Sequence, residues 1–147
     1  MAEDIKYIPV DIAIEKHTYI IEKSGGLSGY SNENILRLES ILTFIQDDRF
    51  YPSFIEKLSF LSYAIAKDHI FVDGNKRSAI VIGAYFMEIN DYGYLVPRYM
   101  QAMENFIVWA MENRISRDLF TEEIKYIILD IEEPEEFKIR LMNSLSI

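Results

Sequence analysis

Apolar residues recur along this chain at helical spacing in one segment after another. Val10, Ile14, His17 and Ile21 fall on one stripe with Ala13 and Ile20 alongside, and Asp11 sits in the first turn, where a carboxylate suits the helix dipole. Gly25-Gly26-Leu27-Ser28-Gly29 closes that helix, because glycine takes the left-handed conformation without a Cβ clash. Ser31 is placed to cap a second helix, whose buried stripe is Ile35, Leu38, Leu42 and Ile45 and which stops near Gln46-Asp47-Asp48. A connector from Asp47 to Pro52 leaves Phe50 and Tyr51 exposed or half-exposed before Ser53, the predicted cap of a third helix. Phe54, Leu58, Leu61 and Ile65 form the stripe of that helix, and one more turn along it brings His69.

From Asn75 through Met87 the pattern is helical again and apolar on nearly every side. A helix of that kind is normally buried in the middle of a domain. Asn90 to Gly93 breaks it, and Pro97 opens a fifth helix with Met100, Met103, Ile107 and Ala110 on one face. After a break from Asn113 to Ser116, a sixth helix is predicted from Arg117 to Ile131, using Ile124, Ile127, Ile128 and Ile131. Pro134 with Glu135 and Glu136 opens a last short helix carrying Phe137, Leu141 and Leu145. No strand pairs and no repeats emerge, so the expected class is all-α, a bundle of about six to seven helices around the buried central one.

The 147 residues, half of them hydrophobic, fit a single domain spanning 1–147 with a proper core. A formal charge of −9 and the lack of a Lys/Arg cluster argue against direct nucleic-acid binding, which concentrates cations to displace counterions. With no cysteine, disulfide and thiolate chemistry are excluded. Neither a signal-peptide layout nor an apolar run of spanning length is present, so the expectation is a soluble, cytoplasmic protein with no membrane partner.

Chemistry concentrates at the mouth of the central helix, in His69-Ile-Phe-Val-Asp-Gly-Asn-Lys-Arg77. Gly74, Asn75 and Lys76 lie at a helix N-terminus, where unpaired N–H groups and the helix dipole favour an anion. Lys76 and Arg77 add formal charge, and arginine grips phosphate through two parallel N–H bonds. A polyphosphate is the ligand this implies. Asp73 is a hard oxygen ligand able to hold Mg²⁺ against phosphate oxygens, so ATP with Mg²⁺ is the expected pair. His69 is the titratable group suited to removing a proton from a hydroxyl near neutral pH.

Singly, each of these residues has an ordinary explanation: Asp-Gly-Asn is a common turn and cations are common on surfaces. Together they place base, metal ligand, anion nest and two cations in nine residues. The cations also sit where the helix dipole disfavours them, a local violation expected at functional sites. His17, on an apolar stripe, reads as a hydrogen-bonded core residue, and with two histidines in the chain a multi-histidine zinc site lacks residues. Tyr85, Tyr92, Tyr94, Tyr99 and Trp109 read as packing.

The run His69-x-Phe71-x-Asp73-Gly74-Asn75-Lys76-Arg77 resembles the signature of the Fic/Doc superfamily, His-x-Phe-x-[Asp/Glu]-[Gly/Ala]-Asn-[Gly/Lys]-Arg. The chain is most similar to the Doc (death-on-curing) branch of toxin–antitoxin toxins. That likeness extends to the Gly-Gly-Leu-Ser-Gly turn, to Leu38-Glu39-Ser40, and to Ile70, where Fic enzymes usually have proline. The resemblance covers roughly residues 5 to 130, whereas the tail of 132–147 has no counterpart.

What the resemblance implies is a Fic-fold helical bundle that binds ATP and Mg²⁺ and modifies a hydroxyl of a target protein. His69 is then the base, Asp73 binds the metal, and Gly74, Asn75, Lys76 and Arg77 hold phosphates, with Lys76 and Arg77 also acting in catalysis. Phe50 and Tyr51 lie where Fic proteins carry a target-docking flap. Most Fic enzymes transfer AMP and have glycine at the position of Lys76. Doc-type proteins with lysine there are associated with kinase activity on the elongation factor that delivers aminoacyl-tRNA. Gly74 matches the AMP-transferring pattern, where the nearest Doc relatives carry alanine.

Three functions therefore stand in order: phosphoryl transfer to a Ser or Thr by a toxin, AMP transfer by the same residues, and a non-catalytic Fic-fold binding module. The inhibitory pattern of some Fic proteins, [Ser/Thr]-x-x-x-Glu-[Gly/Asn], does not match Glu33, Glu104 or Glu112, whose residues four earlier are Gly29, Met100 and Val108. Restraint is accordingly expected from a separate antitoxin protein.

Overall fold

The computed structural model describes residues 4–26, 29–72 and 74–146. Seven α-helices follow one another: α1 (Val10–Ser24), α2 (Asn32–Phe44), α3 (Phe54–Lys67), α4 (Asn75–Ile89), α5 (Val96–Met111), α6 (Arg117–Ile128) and α7 (Glu135–Leu145). A single 3₁₀ turn, Gly93–Leu95, separates α4 from α5. Among the described residues the only extended pairing is an isolated antiparallel bridge between Tyr30 and Phe71. The chain is all-α, as its periodicity implies.

The caps form at the expected residues. Gly25 closes α1 in the left-handed conformation, and Ser31 accepts the Asn34 N–H at the start of α2. Ser53 and Glu56 form a reciprocal capping box on α3, which satisfies two amides that the helix cannot. Ser116, expected only as the end of a break, also caps α6 by accepting the Leu119 N–H.

α4 is the central helix, packed against α1, α3 and α5. Ala79, Ile82, Phe86 and Met87 on it are wholly buried. Gly83 is the point of closest approach: a Cβ there would lie 2.0 Å from the Tyr99 hydroxyl and 2.9 Å from Ser62 Oγ. Those two oxygens are hydrogen-bonded at 2.7 Å. Burial pushes the Tyr99 phenol well above its ordinary range, so that pair stays protonated.

A second buried polar device fixes the connector. Lys57 on α3 has no exposed surface and donates to the Ile45 carbonyl (2.6 Å) and to Asp48 (2.7 Å). Burial pulls its ammonium down, and its bonds to Asp48 and Tyr7 more than offset that, leaving the pKa raised. The exit of α2, the start of the connector and the N-terminal Tyr7 are thereby tied to α3.

Three expectations are corrected. Met100 is 39% exposed, while Tyr99 and Phe106 join Met103, Ile107 and Ala110 on the buried face of α5; the stripe is rotated by one residue because Tyr99 fills the space over Gly83. Ile131 lies outside α6 and is exposed, since Asp130 turns left-handed (φ 54°) and the chain leaves the helix. α3 ends at Lys67, so His69 stands beyond the helix rather than on its last turn. The tail packs as a helix: Phe137 is fully buried against Tyr126, and Arg140 bonds Glu122 at 3.0 and 2.6 Å.

Candidate functional site

The joint between α3 and α4 is built from alternating buried and exposed residues. His69 is exposed and left-handed (φ 49°), a conformation that costs a non-glycine residue about 1 kcal/mol. Ile70 and Phe71 then plunge into the core, 0% and 2% exposed. Phe71 stacks flat on His17 of α1, ring centroids 3.6 Å apart. His17 is the core histidine expected, buried and in hydrogen-bond contact with Ser78 Oγ at 2.7 Å. Val72 returns to the surface, its N–H donating to the Gly29 carbonyl.

Gly74 begins α4 in the left-handed conformation (φ 75°) and supplies no side-chain cap. A Cβ there would lie 3.0 Å from Ile21 Cδ1, so the left-handed backbone favours glycine, and a side chain would need Ile21 to give way by a few tenths of an ångström. The N–H groups of Asn75, Lys76 and Arg77 have no carbonyl one turn earlier within the helix to accept them, and they form the anion nest. Lys76 and Arg77 are exposed, and among the described residues neither pairs with a carboxylate. Asn75 behaves differently. Its Oδ1 accepts the Phe71 N–H (3.0 Å) and its Nδ2 donates to the Phe71 carbonyl (2.9 Å), so the side chain locks the loop, leaving the backbone N–H and the second Nδ2 hydrogen as its remaining donors.

His69, Gly74, Asn75, Lys76 and Arg77 line one cleft of about 720 Å³, within the range of small-ligand sites. A further part of the wall comes from Met111 at the end of α5 and from Glu112 just after it. Sequence reasoning missed that wall, because nothing in the residue pattern says that the α5–α6 turn returns to the α3–α4 joint. Asp73 lies outside the described residues, as do Leu27 and Ser28 of the glycine-rich turn and Met1 to Glu3. Among the described residues no cluster of three or more metal-binding side chains occurs.

The docking candidates are not part of this cleft. Phe50 is 72% exposed at the tip of the connector, and Tyr51 is half-buried against the ring of Phe60, centroids 4.7 Å apart. Arg49 grips Asp47 with two side-chain bonds and holds its carboxyl down to about 2. The connector is thus a formed loop.

A family model described as the Fic/DOC family matches residues 7–87, which run from the N-terminal segment to the core of α4 and contain the whole joint. The chain belongs to the Fic/DOC family. No match was found among curated proteins or among solved structures. Membership makes this a protein of the type that transfers part of a nucleotide to another protein, generally with ATP and Mg²⁺. The lining of the cleft of this Fic/DOC protein suits a nucleotide: a helix N-terminus, a left-handed glycine and two cations. Among the described residues no helix is long and apolar enough to cross a membrane.

Proposed function

We propose that the protein is a Doc-like toxin that transfers the γ-phosphoryl group of ATP to a Ser or Thr hydroxyl of a target protein. The observation that carries this reading is that an exposed histidine and a doubly cationic helix N-terminus share one nucleotide-sized cleft. His69 accepts the proton of the attacking hydroxyl, whose oxygen forms the new bond to phosphorus as the bond to the bridging oxygen breaks and ADP leaves. The backbone N–H groups of Asn75, Lys76 and Arg77, with the two side-chain cations, take up the charge that develops on the phosphate oxygens. Mg²⁺, held through Asp73 by the family resemblance, supplies further neutralisation of the phosphates when bound. Asn75 contributes through its backbone N–H, while its side-chain amide holds the Phe71 backbone in place.

Lys76 supports γ-transfer, because an ammonium at the second position of the nest narrows it and moves a charge, which favours a nucleotide bound with its γ-phosphorus toward the hydroxyl. A second reading, AMP transfer by attack at the α-phosphorus with loss of pyrophosphate, is favoured by Gly74, which matches the AMP-transferring pattern of the family. Phe50 and Tyr51 dock the target, which the resemblance suggests is a translation elongation factor. A separate antitoxin restrains the protein by folding onto its surface; absence of the neighbouring gene's product from a co-purification would sink that assignment. The deciding experiment is a parallel reaction with α- and γ-labelled ATP on a candidate target. Label from γ alone supports the phosphoryl reading, label from α supports AMP transfer, and label from neither leaves a binding module.

A further inference from the structure

Buried polar contacts beneath an active site are informative when they join parts that must keep a fixed separation. The base candidate and the phosphate nest belong to different backbone segments: His69 precedes the buried pair Ile70-Phe71, and the nest begins five residues later at Gly74. Phe71, Gly74 and Ser78 meet on one side chain of α1. The His17 ring lies 3.6 Å from the Phe71 ring at an interplanar angle of 6°. Its Nδ1 is 2.7 Å from Ser78 Oγ, one turn into α4. Its Cε1 lies 3.7 Å from the place where a Gly74 side chain would begin.

We infer that His17 is a positioning residue, a bracket whose ring joins Phe71, Gly74 and Ser78 and so sets the distance between His69 and the nest. The assignment rests on the transferase reading for its catalytic consequence, but the bracket itself is a statement about the fold. Apolar packing alone would hold the Phe71 ring in the core without tying that ring to α1 and α4 together. A buried imidazole supplies both a flat face for the phenyl ring and a directed polar contact to Ser78, and buried polar contacts specify geometry as much as they stabilise it. Asn75 complements the device from above, since its two bonds to the Phe71 backbone fix the height of the same residue.

The test compares the full-length wild type with Ser78→Ala, which removes only the polar contact, and His17→Phe, which keeps the stacking face. Amide hydrogen exchange, thermal midpoint and steady-state label transfer from ATP are measured on the same preparations. In Ser78→Ala the midpoint stays close to wild type, while exchange at Phe71 and Val72 rises about ten-fold and kcat falls about ten-fold with little change in the nucleotide KM, because the α4 amides remain in place. Exchange at those amides unchanged, or raised equally across α3 and α5, overturns the bracket. An unchanged kcat in a variant whose loop exchanges faster overturns its positioning role. If His17→Phe fails to fold, Ser78→Ala alone decides. Should the wild type transfer no label, the transferase reading fails while the exchange comparison still judges the bracket.

Discussion

At Gly83, midway along α4, a single methyl group would come within 2.0 Å of the Tyr99 hydroxyl, whereas at Lys76, two turns earlier, the side chain projects into a cleft with room for a ligand. The first region obeys every packing rule: small residue at a helix crossing, apolar neighbours, a closed hydrogen bond. The second violates several, with cations at the positive end of a dipole, a left-handed histidine beside it and no side-chain cap. Each cation there opposes the dipole by roughly 0.5 kcal/mol and the histidine adds about 1. Such costs persist where the surrounding structure over-determines the conformation, and the locked middle of the same helix does that.

The largest expected effect breaks the comparison at its chemical end. His69→Ala lowers label transfer by a factor of about a hundred to ten thousand while the melting temperature stays close to wild type. Retained transfer, or continued growth arrest on expression, would remove His69 from the chemistry. At the packed end the response inverts. Gly83→Ala drives a methyl into Tyr99 and Ser62 and costs about 3 kcal/mol, read as an earlier denaturant midpoint; an unshifted midpoint would mean that α5 yields without strain.

A smaller effect is expected from Lys76→Gly, which weakens γ-transfer about ten-fold and opens the way to transfer from α-labelled ATP. Unaltered γ-transfer would refute the role given to the ammonium.

A further effect, read as a pH dependence, lies on α6. Burial, then the neighbouring Glu133 carboxyl, raises the Glu123 pKa from 4.5 to about 8. The folded state therefore binds a proton that the unfolded chain has released, and the stability this provides is full below about 4.5 and is lost as pH rises toward about 8. Glu123→Gln should flatten the stability profile across that window, and a slope equal to wild type would rule the pair out as its source.

Much of this arrangement is legible in the residues because it depends on local rules. Ser31 and Ser53 announce their helices through short-range caps, and Phe54, Leu58, Leu61 and Ile65 mark a buried face by spacing alone. The residues from His69 to Arg77 carry their chemistry in composition, and the nest follows from where a helix must start. What escapes is the product of tertiary contact. The rotation of α5 that buries Tyr99 instead of Met100 depends on the space over Gly83, which spacing within α5 does not reveal. Commitment of Asn75 to Phe71 and the return of Glu112 to the cleft depend equally on where distant segments meet.

The left-handed backbone at His69 has a consequence for how the protein is assayed. Asparagine and glycine adopt that conformation readily, so these two inactive substitutions carry no backbone penalty at this position. In any selection against a harmful activity, such chains accumulate to higher levels than the parent. Abundance on a gel then runs opposite to activity, and a preparation must be sequenced across codon 69 before its yield is taken as a sign of function.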